Sequence, residues 1–213
     1  MKLTKFGHSC VRLDEDGRAV VIDPGVFSDV PAAAAGAQAF LITHEHPDHM
    51  DVDAVAAAAR ADDALQIFAP AAAAAKLSEF GERVTTTHAG SPFEVAGFEV
   101  ETIGGQHALI HPLIPVVANV GYIVNGTVYH PGDALIVSPK AVPTVLVPIH
   151  APWSRVAEVI DFVNASSSER AFQIHDGFLN DAGITTVEGL VQRIGHQYGT
   201  AFRHLAVGES VTL

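Results

Sequence analysis

The chain has 213 residues, of which 48% are hydrophobic and 17% charged, and this composition excludes a disordered protein. Its 24 acidic and 12 basic side chains give a formal net charge of −12. This charge repels phosphate backbones and anionic lipid headgroups, so we expect no nucleic-acid partner and no membrane partner.

The first part of the chain predicts a β-meander followed by strand–helix units. Short runs rich in β-branched residues are separated by turn residues, and alanine-rich runs are typical of helices. The predicted strands are KLTKF, SCVRL, AVVIDPG, AFLIT and LQIFAP, and the predicted helices are DVDAVAAAAR and AAAAAKL. AFLIT is apolar without alternation, which is typical of a strand covered on both faces. The sequence HEHPDHM that follows it is therefore predicted to be a strand-to-helix loop.

The second part of the chain repeats this organisation. The strand-like segments are RVTTTH, SPFEV, FEVETIGG, NVGYIV, TVYH, TVLVPIH and RAFQIH, with a proline-rich loop in the middle. Asn125 and Gly126 predict a hairpin turn between two of these strands. SRVAEVIDFVNA is a predicted helix with Ser154 as its N-cap, and TTVEGLVQRIGHQY is the final predicted helix. Because no linker separates the halves, we expect one domain over residues 1–213.

This order of elements predicts an α/β fold. Two strand-rich halves that each carry helices favour two sheets packed face to face with helices outside both, which is a four-layer αββα sandwich. Periodicity alone is compatible with other α/β arrangements. The choice of this architecture therefore depends on the histidines of the chain.

The segment THEHPDHMD, residues 43–51, places three histidines and an aspartate in a predicted loop. Imidazole nitrogens and carboxylate oxygens are ligands that zinc prefers, and a loop allows neighbouring side chains to converge. A catalytic zinc ion has three protein ligands and an open position, so four such residues favour two metal ions. The loop residues are His44, His46, Asp48 and His49, and further candidates at the ends of predicted strands are His107, Asp133 and His175.

The chain resembles the metallo-β-lactamase-fold hydrolases, which include glyoxalase II, tRNase Z and the L-ascorbate-6-phosphate lactonase branch. The resemblance covers nearly the whole chain and rests on FGHSC, VIDPG, THEHPDHMD, the lone His107, HPGDA and IHDG; small bacterial members near the lactonase branch are the most similar. It implies two divalent metal ions, with Zn²⁺ preferred and Mn²⁺ or Fe²⁺ as alternatives. The implied ligands are His44, His46 and His107 for one ion, Asp48, His49 and His175 for the other, and Asp133 as the bridge.

Four more residues are candidates for orienting the ligands or lining a substrate pocket: His8, Asp23, His111 and His150. A metal-bound histidine usually needs an acceptor for its second ring nitrogen, and Asp23 can provide one. His111 is an alternative ligand to His107, but its proline-rich surroundings are better suited to a pocket wall. His150 is an alternative to His175, and the resemblance favours His175 because that residue follows an intervening helix.

We therefore predict a metal-dependent hydrolase. A hydroxide shared by the two ions would attack an ester, lactone, thioester or phosphoester of a small substrate, and Asp48 would orient it. Two alternatives stay open at this point. Persulfide dioxygenases share the pattern H-x-H-x-D-H and use one iron ion, and a non-catalytic binding protein could have the same fold. The presence of ligating residue types at all seven candidate positions favours the hydrolase.

The cellular location is predicted from what the sequence lacks. Its first residues contain no apolar stretch of signal-peptide length, and no run approaches about 18 uncharged apolar residues. The single cysteine, Cys10, cannot form an internal disulfide, which fits a reducing compartment. We expect a cytoplasmic protein that acts on a small molecule. The sequence does not indicate its oligomeric state.

Overall fold

Two seven-stranded mixed sheets form the centre of the computed structural model, which describes residues 1–213. The strands of the first sheet are β1 (Lys2–Gly7), β2 (Cys10–Glu15), β3 (Arg18–Ile22), β4 (Ala39–Leu41), β5 (Gln66–Ala69), β6 (Val84–Thr86) and the last strand of the chain, β14 (Ser210–Thr212). The strands of the second sheet are β7 (Phe93–Val95), β8 (Phe98–Gly104), β9 (Val120–Val124), β10 (Val128–His130), β11 (Thr144–Pro148), β12 (Arg170–Ile174) and β13 (Ala201–Arg203).

The order of strands follows the chain closely in both sheets. The first sheet has the order β14-β1-β2-β3-β4-β5-β6, and the second has the order β13-β12-β11-β10-β9-β8-β7. Short turns connect β1, β2 and β3, so these strands are antiparallel, as the sequence predicts. Strands β3 to β6 and β10 to β13 are parallel within their sheets.

The helices lie outside the two sheets. They are α1 (Val30–Ala34), α2 (Val52–Ala61), α3 (Ala71–Ala75), a short 3₁₀ helix (Ser78–Arg83), α4 (Val156–Ser166) and α5 (Asp181–Gln197). Buried residues of α1, α2 and α3 share a hydrophobic cluster with the first sheet, and buried residues of α4 and α5 share one with the second. None of the helices is long and apolar enough to cross a membrane.

Alternating side chains in the central strands explain the four layers. In β3, Val20 and Ile22 point into the cluster between the sheets, whereas Val21 packs beneath the helices of the first sheet. In β11, Leu146 points into the same inner cluster and Val147 packs beneath α4 and α5. Both faces of each sheet are therefore covered, which accounts for the apolar runs in the sequence. The predicted four-layer αββα sandwich is confirmed.

Two predicted helix starts were wrong. Helix α4 begins at Val156, and Ser154 does not cap it, because its hydroxyl oxygen accepts a hydrogen bond from the Ala151 N–H at 3.1 Å. Helix α5 begins at Asp181, four residues before the predicted start, because the Asn180 side chain accepts from the Gly183 N–H at 2.9 Å. This cap makes a helical first turn possible despite the glycine.

A buried tyrosine connects the two sheets next to the histidine-rich loop. Tyr122 lies in β9 with no exposed surface, and its hydroxyl donates to the Ile42 carbonyl at 2.9 Å. The same hydroxyl lies 3.1 Å from Oγ1 of Thr87, which also belongs to the first half of the chain. Removing the hydroxyl would leave buried polar groups without their partner, which costs more than the loss of a solvated hydrogen bond.

We therefore expect Tyr122→Phe to lower the free energy of unfolding by about 1–2 kcal/mol. The measurement is chemical denaturation with a chelator present, so that bound metal does not contribute. Tyr129→Phe is the matched control, because the Tyr129 hydroxyl donates at 2.8 Å to the carbonyl of the exposed Ile136, where water can replace it. Equal losses in the two variants would contradict a special role for the bond between the sheets.

Candidate metal centre

The candidate ligands come from loops of both sheets that meet at one edge of the sandwich. Residues 44–49 lie between β4 and α2, His107 follows β8, Asp133 follows β10, and His175 follows β12. Their ligand atoms form three groups, each with all atoms within 4.8 Å of one another. The first group is His44, His46 and His107, the second is His8, Asp48, His49 and His175, and a smaller third set, His44, His49 and Asp133, overlaps both through its histidines.

The loop of residues 44–49 is held in shape by backbone contacts. The His49 and Met50 N–H groups both donate to the His46 carbonyl, and the Val26 N–H donates to the Pro47 carbonyl. A Cβ atom at Gly25 would lie 1.9 Å from the Asp48 carbonyl oxygen. Only glycine allows this close approach of two backbones. The glycine of VIDPG therefore supports the histidine-rich loop.

The first group contains three imidazoles. Nε2 of His44 lies 3.2 Å from Nδ1 of His46, and the ring centroids of His44 and His46 lie 5.0 and 4.8 Å from that of His107. Nδ1 of His107 donates to the Ala108 carbonyl at 2.6 Å, and Nδ1 of His44 lies 3.0 Å from Oγ1 of Thr43. The outer nitrogens of two rings are thus engaged by the protein. Their Nε2 atoms are directed to the group, where three nitrogens can bind one ion.

The second group combines imidazoles with the carboxylate of Asp48. Nδ1 of His175 donates to the His150 carbonyl at 2.6 Å, and its Nε2 lies 3.5 Å from Oδ2 of Asp48. Nε2 of His49 lies 4.0 Å from the same Asp48 oxygen. Nδ1 of His49 is held by Oδ2 of Asp23 at 2.6 Å. This group offers two nitrogens and one carboxylate to an ion.

Asp133 lies between the two groups. Its carboxylate oxygens are 3.3 Å from Nε2 of His107, 2.9 Å from Nε2 of His49 and 3.0 Å from Nε2 of His175. The indole N–H of Trp153 donates to Oδ2 of Asp133 at 3.0 Å. A single carboxylate is therefore within reach of ligand atoms from both groups, as a bridging ligand must be.

Asp23 organises the residues behind the centre. It is fully buried, and its carboxylate accepts hydrogen bonds from the Thr43 N–H and the Thr43 hydroxyl, both at 2.7 Å, as well as from His49. The Thr43 hydroxyl in turn contacts His44. Asp23 thus orients one histidine directly and a second through Thr43, which is the arrangement expected around metal-bound imidazoles.

The inward-facing atoms indicate that the residues fit a metal ion. Nε2 of His49, His107 and His175 and Oδ1 of Asp133 are buried and have no hydrogen bond of acceptable geometry. Buried polar atoms without partners are costly in a folded protein, and most are satisfied. Imidazole nitrogens and carboxylate oxygens are also the donor set that Zn²⁺ and Fe²⁺ accept. Divalent cations bound at the two groups would satisfy all of these atoms.

The pKa values of the ionisable groups follow from burial and from the carboxylates. Burial lowers the pKa of His44 well below its ordinary value and also lowers that of His46, which keeps both in the neutral form that binds metals. Burial has the same tendency at His175, but Asp133 and Asp48 outweigh it and raise the pKa to about 9. Asp133 and Asp23 likewise raise the pKa of His49 well above its ordinary value against the effect of burial. Metal binding must therefore displace protons from His49 and His175.

His8 lies beside the centre, with its Nε2 atom directed at Asp48. Its Nδ1 accepts from the Gly177 N–H at 3.0 Å, so the proton of the neutral ring is on Nε2, which lies 3.3 Å from Oδ2 of Asp48. A Cβ atom at Gly177 would lie 2.8 Å from Nδ1 of His8, so glycine is needed here. This geometry suits His8 for orienting Asp48 and not for binding an ion.

The structure brings together all seven candidate ligands, together with His8 and Asp23. It does not bring the His111 side chain into the groups, because that side chain is exposed and accepts a hydrogen bond from the Leu113 N–H. His150 contributes its carbonyl oxygen to His175 and is absent from the ligand groups. Sequence reasoning assigned no site role to Trp153 or Thr43. Thr43 could have been found as the residue before the histidine motif, whereas no spacing signal marks Trp153.

A salt bridge anchors the loop that carries His175. Nζ of Lys5, in β1, lies 2.5 Å from Oδ2 of Asp176, and the Lys5 side chain is 1% exposed. The same ammonium group donates to the Gln173 carbonyl in β12. Because a buried ammonium group needs such partners, this contact joins the first sheet to the second directly behind the centre.

Comparison with known proteins agrees with these observations. Residues 2–175 match the sequence profile of the family described as the beta-lactamase superfamily domain. Protein Rv0786c of Mycobacterium tuberculosis is 37% identical over 184 residues, which cover 84% of this chain and 85% of that protein. A protein of Xanthobacter autotrophicus named UPF0173 metal-dependent hydrolase is 33% identical over 71% of this chain and 68% of its own length.

A solved structure shows the same fold. It is Igni18, described as a novel metallo hydrolase from the archaeon Ignicoccus hospitalis, with a TM-score of 0.75 and 21% identity. The alignment covers 100% of this chain and 97% of that one. At this identity the likeness concerns the fold alone, and it supports the sandwich architecture over the whole length of the chain.

We expect Asp23→Asn to weaken Zn²⁺ binding by roughly 10-fold to 100-fold, because an amide no longer provides a charged acceptor for His49. The affinity can be measured by competition with a chromophoric chelator. Asp29→Asn is the matched control, since Asp29 follows the same strand and caps α1 by accepting from the Ala32 N–H at 3.1 Å. An unchanged affinity in Asp23→Asn would contradict the orienting role of Asp23.

Proposed function

The chain belongs to the beta-lactamase superfamily, and we propose that it is a metal-dependent hydrolase with two divalent ions, of which Zn²⁺ is the preferred species. The observation that carries the proposal is the position of Asp133. Its carboxylate lies within 3.3 Å of the Nε2 atoms of His107, His49 and His175, and these three histidines belong to two different ligand groups. The name of the Xanthobacter relative supports the class of activity.

Seven residues would hold the two ions. His44, His46 and His107 would bind one ion, Asp48, His49 and His175 the other, and Asp133 both. Two ions in such a centre supply a hydroxide nucleophile at neutral pH and positive charge for the oxyanion that develops during attack. The side chains around the centre would have two further tasks, which are to orient the attacking water and to exclude bulk solvent.

Asp48 is placed to orient the attacking water. Burial tends to raise its pKa, but the neighbouring His175 and His8 outweigh burial and lower the pKa below its ordinary value. The carboxylate is therefore ionised and can accept a hydrogen bond. Its side chain is 16% exposed, compared with 4% for Asp133, so Asp48 is the carboxylate nearer to an entering substrate. Nε2 of His8 lies 3.3 Å from Oδ2 of Asp48 and adds to the interactions that keep this carboxylate ionised.

Two phenylalanines limit the access of solvent on the His8 side. The ring of Phe27 and the ring of Phe178 each lie 5.3 Å from the ring of His8, centroid to centroid, and the two phenylalanine rings are 5.3 Å apart. Each is about half exposed, so both reach from the wall of the centre to the surface. Apolar side chains in this position exclude water and strengthen the electrostatic interactions behind them.

The two alternative functions are less well supported. A single iron ion would need only one of the ligand groups, whereas both groups are present here and share Asp133 as a common neighbour. A binding protein that has lost catalysis is expected to lack ligands, and none of the seven is missing. A thiol mechanism is disfavoured because burial raises the pKa of Cys10 and keeps the thiol protonated.

The reaction that we propose is hydrolysis of an ester, lactone, thioester or phosphoester of a small substrate. Protein purified without added metal is expected to contain two Zn²⁺ ions per chain and to hydrolyse at least one member of a panel of these substrates. Removal of the metal by a chelator should abolish the activity, and added Zn²⁺ should restore it. One iron ion per chain together with oxygen consumption would support the dioxygenase alternative, and unchanged activity without metal would refute the proposal.

The ligand assignment is tested by two histidines four residues apart. His107→Ala is expected to lower the bound metal from two ions to one or none. Nε2 of His107 belongs to the first ligand group and also lies 3.3 Å from Oδ2 of Asp133. His111→Ala is the matched control and should retain both ions, since that side chain is exposed. Elemental analysis of both purified variants decides the question. A larger metal loss in His111→Ala would make His111 the ligand.

A further inference from the structure

An apolar cleft of about 530 Å³ adjoins the candidate metal centre. Nine residues line it, and seven of them are hydrophobic, including Ala108, Leu135, Trp153 and Ala165. Its volume is within the range of sites that bind small molecules, although the cleft is open to solvent on one side. None of the seven candidate ligands lines the cleft, so the kind of group that the cleft binds follows from its own lining residues.

Two residues that line the cleft, Ala108 and Trp153, also form hydrogen bonds with candidate ligands of the metal centre. Ala108 follows His107, accepts from its Nδ1 at 2.6 Å, and donates from its own N–H to the Asp133 carbonyl at 2.8 Å. The indole ring of Trp153 lines the cleft while its N–H donates to Asp133 at 3.0 Å. The ring centroid of Trp153 is 5.8 Å from that of His107. The cleft and the centre are therefore neighbours that share Ala108 and Trp153.

Exposed hydrophobic side chains mark this region of the surface. Leu109 and Val137 line the cleft and are 56% and 37% exposed, respectively. Neither contributes to the three hydrophobic core clusters. Apolar side chains that remain exposed next to a reactive centre favour the binding of an apolar group, which would bury them.

The charges of the cleft exclude anionic groups. Its polar lining residues are Glu158 and Asp161, both on α4, and no lysine or arginine lines it. Glu158 accepts from the Arg155 N–H at 2.8 Å, which fixes its carboxylate at the start of the helix. An uncompensated pair of carboxylates repels a phosphate or carboxylate group on a substrate.

We propose that the cleft binds an uncharged hydrocarbon chain on the acyl side of the substrate, so that the substrate class is an apolar ester, thioester or lactone. The inference rests on the proposed hydrolase function, because the cleft adjoins the same centre. Hydroxide adds to the carbonyl carbon, the bond from that carbon to oxygen or sulfur breaks, and the alcohol or thiol leaves with a proton. The apolar chain stays in the cleft on the carboxylic acid product.

Binding can be measured without any reaction. Trp153 is the only tryptophan of the chain, so its fluorescence reports on the cleft. Methyl ketones present a carbonyl group that is not hydrolysed. A ten-carbon methyl ketone is expected to bind the metal-loaded protein at least roughly tenfold more tightly than a six-carbon one, since each buried methylene contributes about fourfold. The ten-carbon keto acid with a carboxylate at the far end should bind at least tenfold more weakly than the ketone.

Variants of one helix provide the matched test. Ala165→Phe fills the cleft and should weaken binding of the ten-carbon ketone at least tenfold, whereas Ala157→Phe, an exposed position on α4 that does not line the cleft, should leave binding unchanged. Asp161→Lys should improve binding of the keto acid relative to the ketone. Ala165→Phe should also lower kcat/KM for an octanoyl ester and not for an acetyl ester.

The outcomes separate the two proposals. If neither chain length nor Ala165→Phe changes ketone binding, the cleft does not hold the acyl chain, whatever the activity of the protein. If the binding results are as expected and no ester, lactone, thioester or phosphoester is hydrolysed, the assignment of the cleft stands and the hydrolase function is rejected. Tighter binding of the keto acid than of the ketone would overturn the assignment to uncharged chains.

Discussion

The outer nitrogens of four of the five candidate ligand histidines are engaged by the protein, and the geometry of the centre depends on this constraint. Acceptors on Asp23, Ala108 and His150 hold the Nδ1–H groups of three imidazoles, so that their Nε2 atoms face inward. A histidine with a free outer nitrogen could rotate and present either atom. Because the acceptors are the carboxylate of the buried Asp23 and two backbone oxygens, the orientation is set before any ion arrives, and little reorganisation accompanies binding.

These acceptors require a rigid scaffold, which the two sheets provide. Strands covered on both faces end at the edge where the loops begin. At two glycines of these loops, Gly25 and Gly132, close contacts leave no room for a Cβ atom. At Gly132, where φ is +64°, a Cβ atom would lie 2.2 Å from Oδ1 of Asn119, the same atom that accepts from the Asp133 N–H. The contact between these residues thus fixes both the backbone turn and the carboxylate between the ligand groups.

The sequence was sufficient to predict the fold class, to name the seven candidate ligands that the structure brings together and to name Asp23 beside them, but not the other residues around the centre. His44 to His49 form a local motif, and the other ligands follow strands, so their positions can be read along the chain. Trp153 acts through a hydrogen bond to Asp133, twenty residues away, which only the packing of loops brings about. The short strands β13 and β14 were missed because their pairing depends on neighbours distant in sequence: β14, at the end of the chain, pairs with β1, and β13 pairs with β12 across helix α5.

The ligands are divided between the loops of the two sheets, and this division links metal supply to the persistence of the folded chain. In the proposed assignment each ion would have ligands from both sheets, His44 and His107 for one ion and Asp48 and His175 for the other. Each ion would then be a crosslink that must be released before the sheets can separate. The free energy of unfolding then rises with the logarithm of the free metal concentration. At low metal concentration the protein would therefore be degraded faster by proteases, in addition to losing the proposed activity.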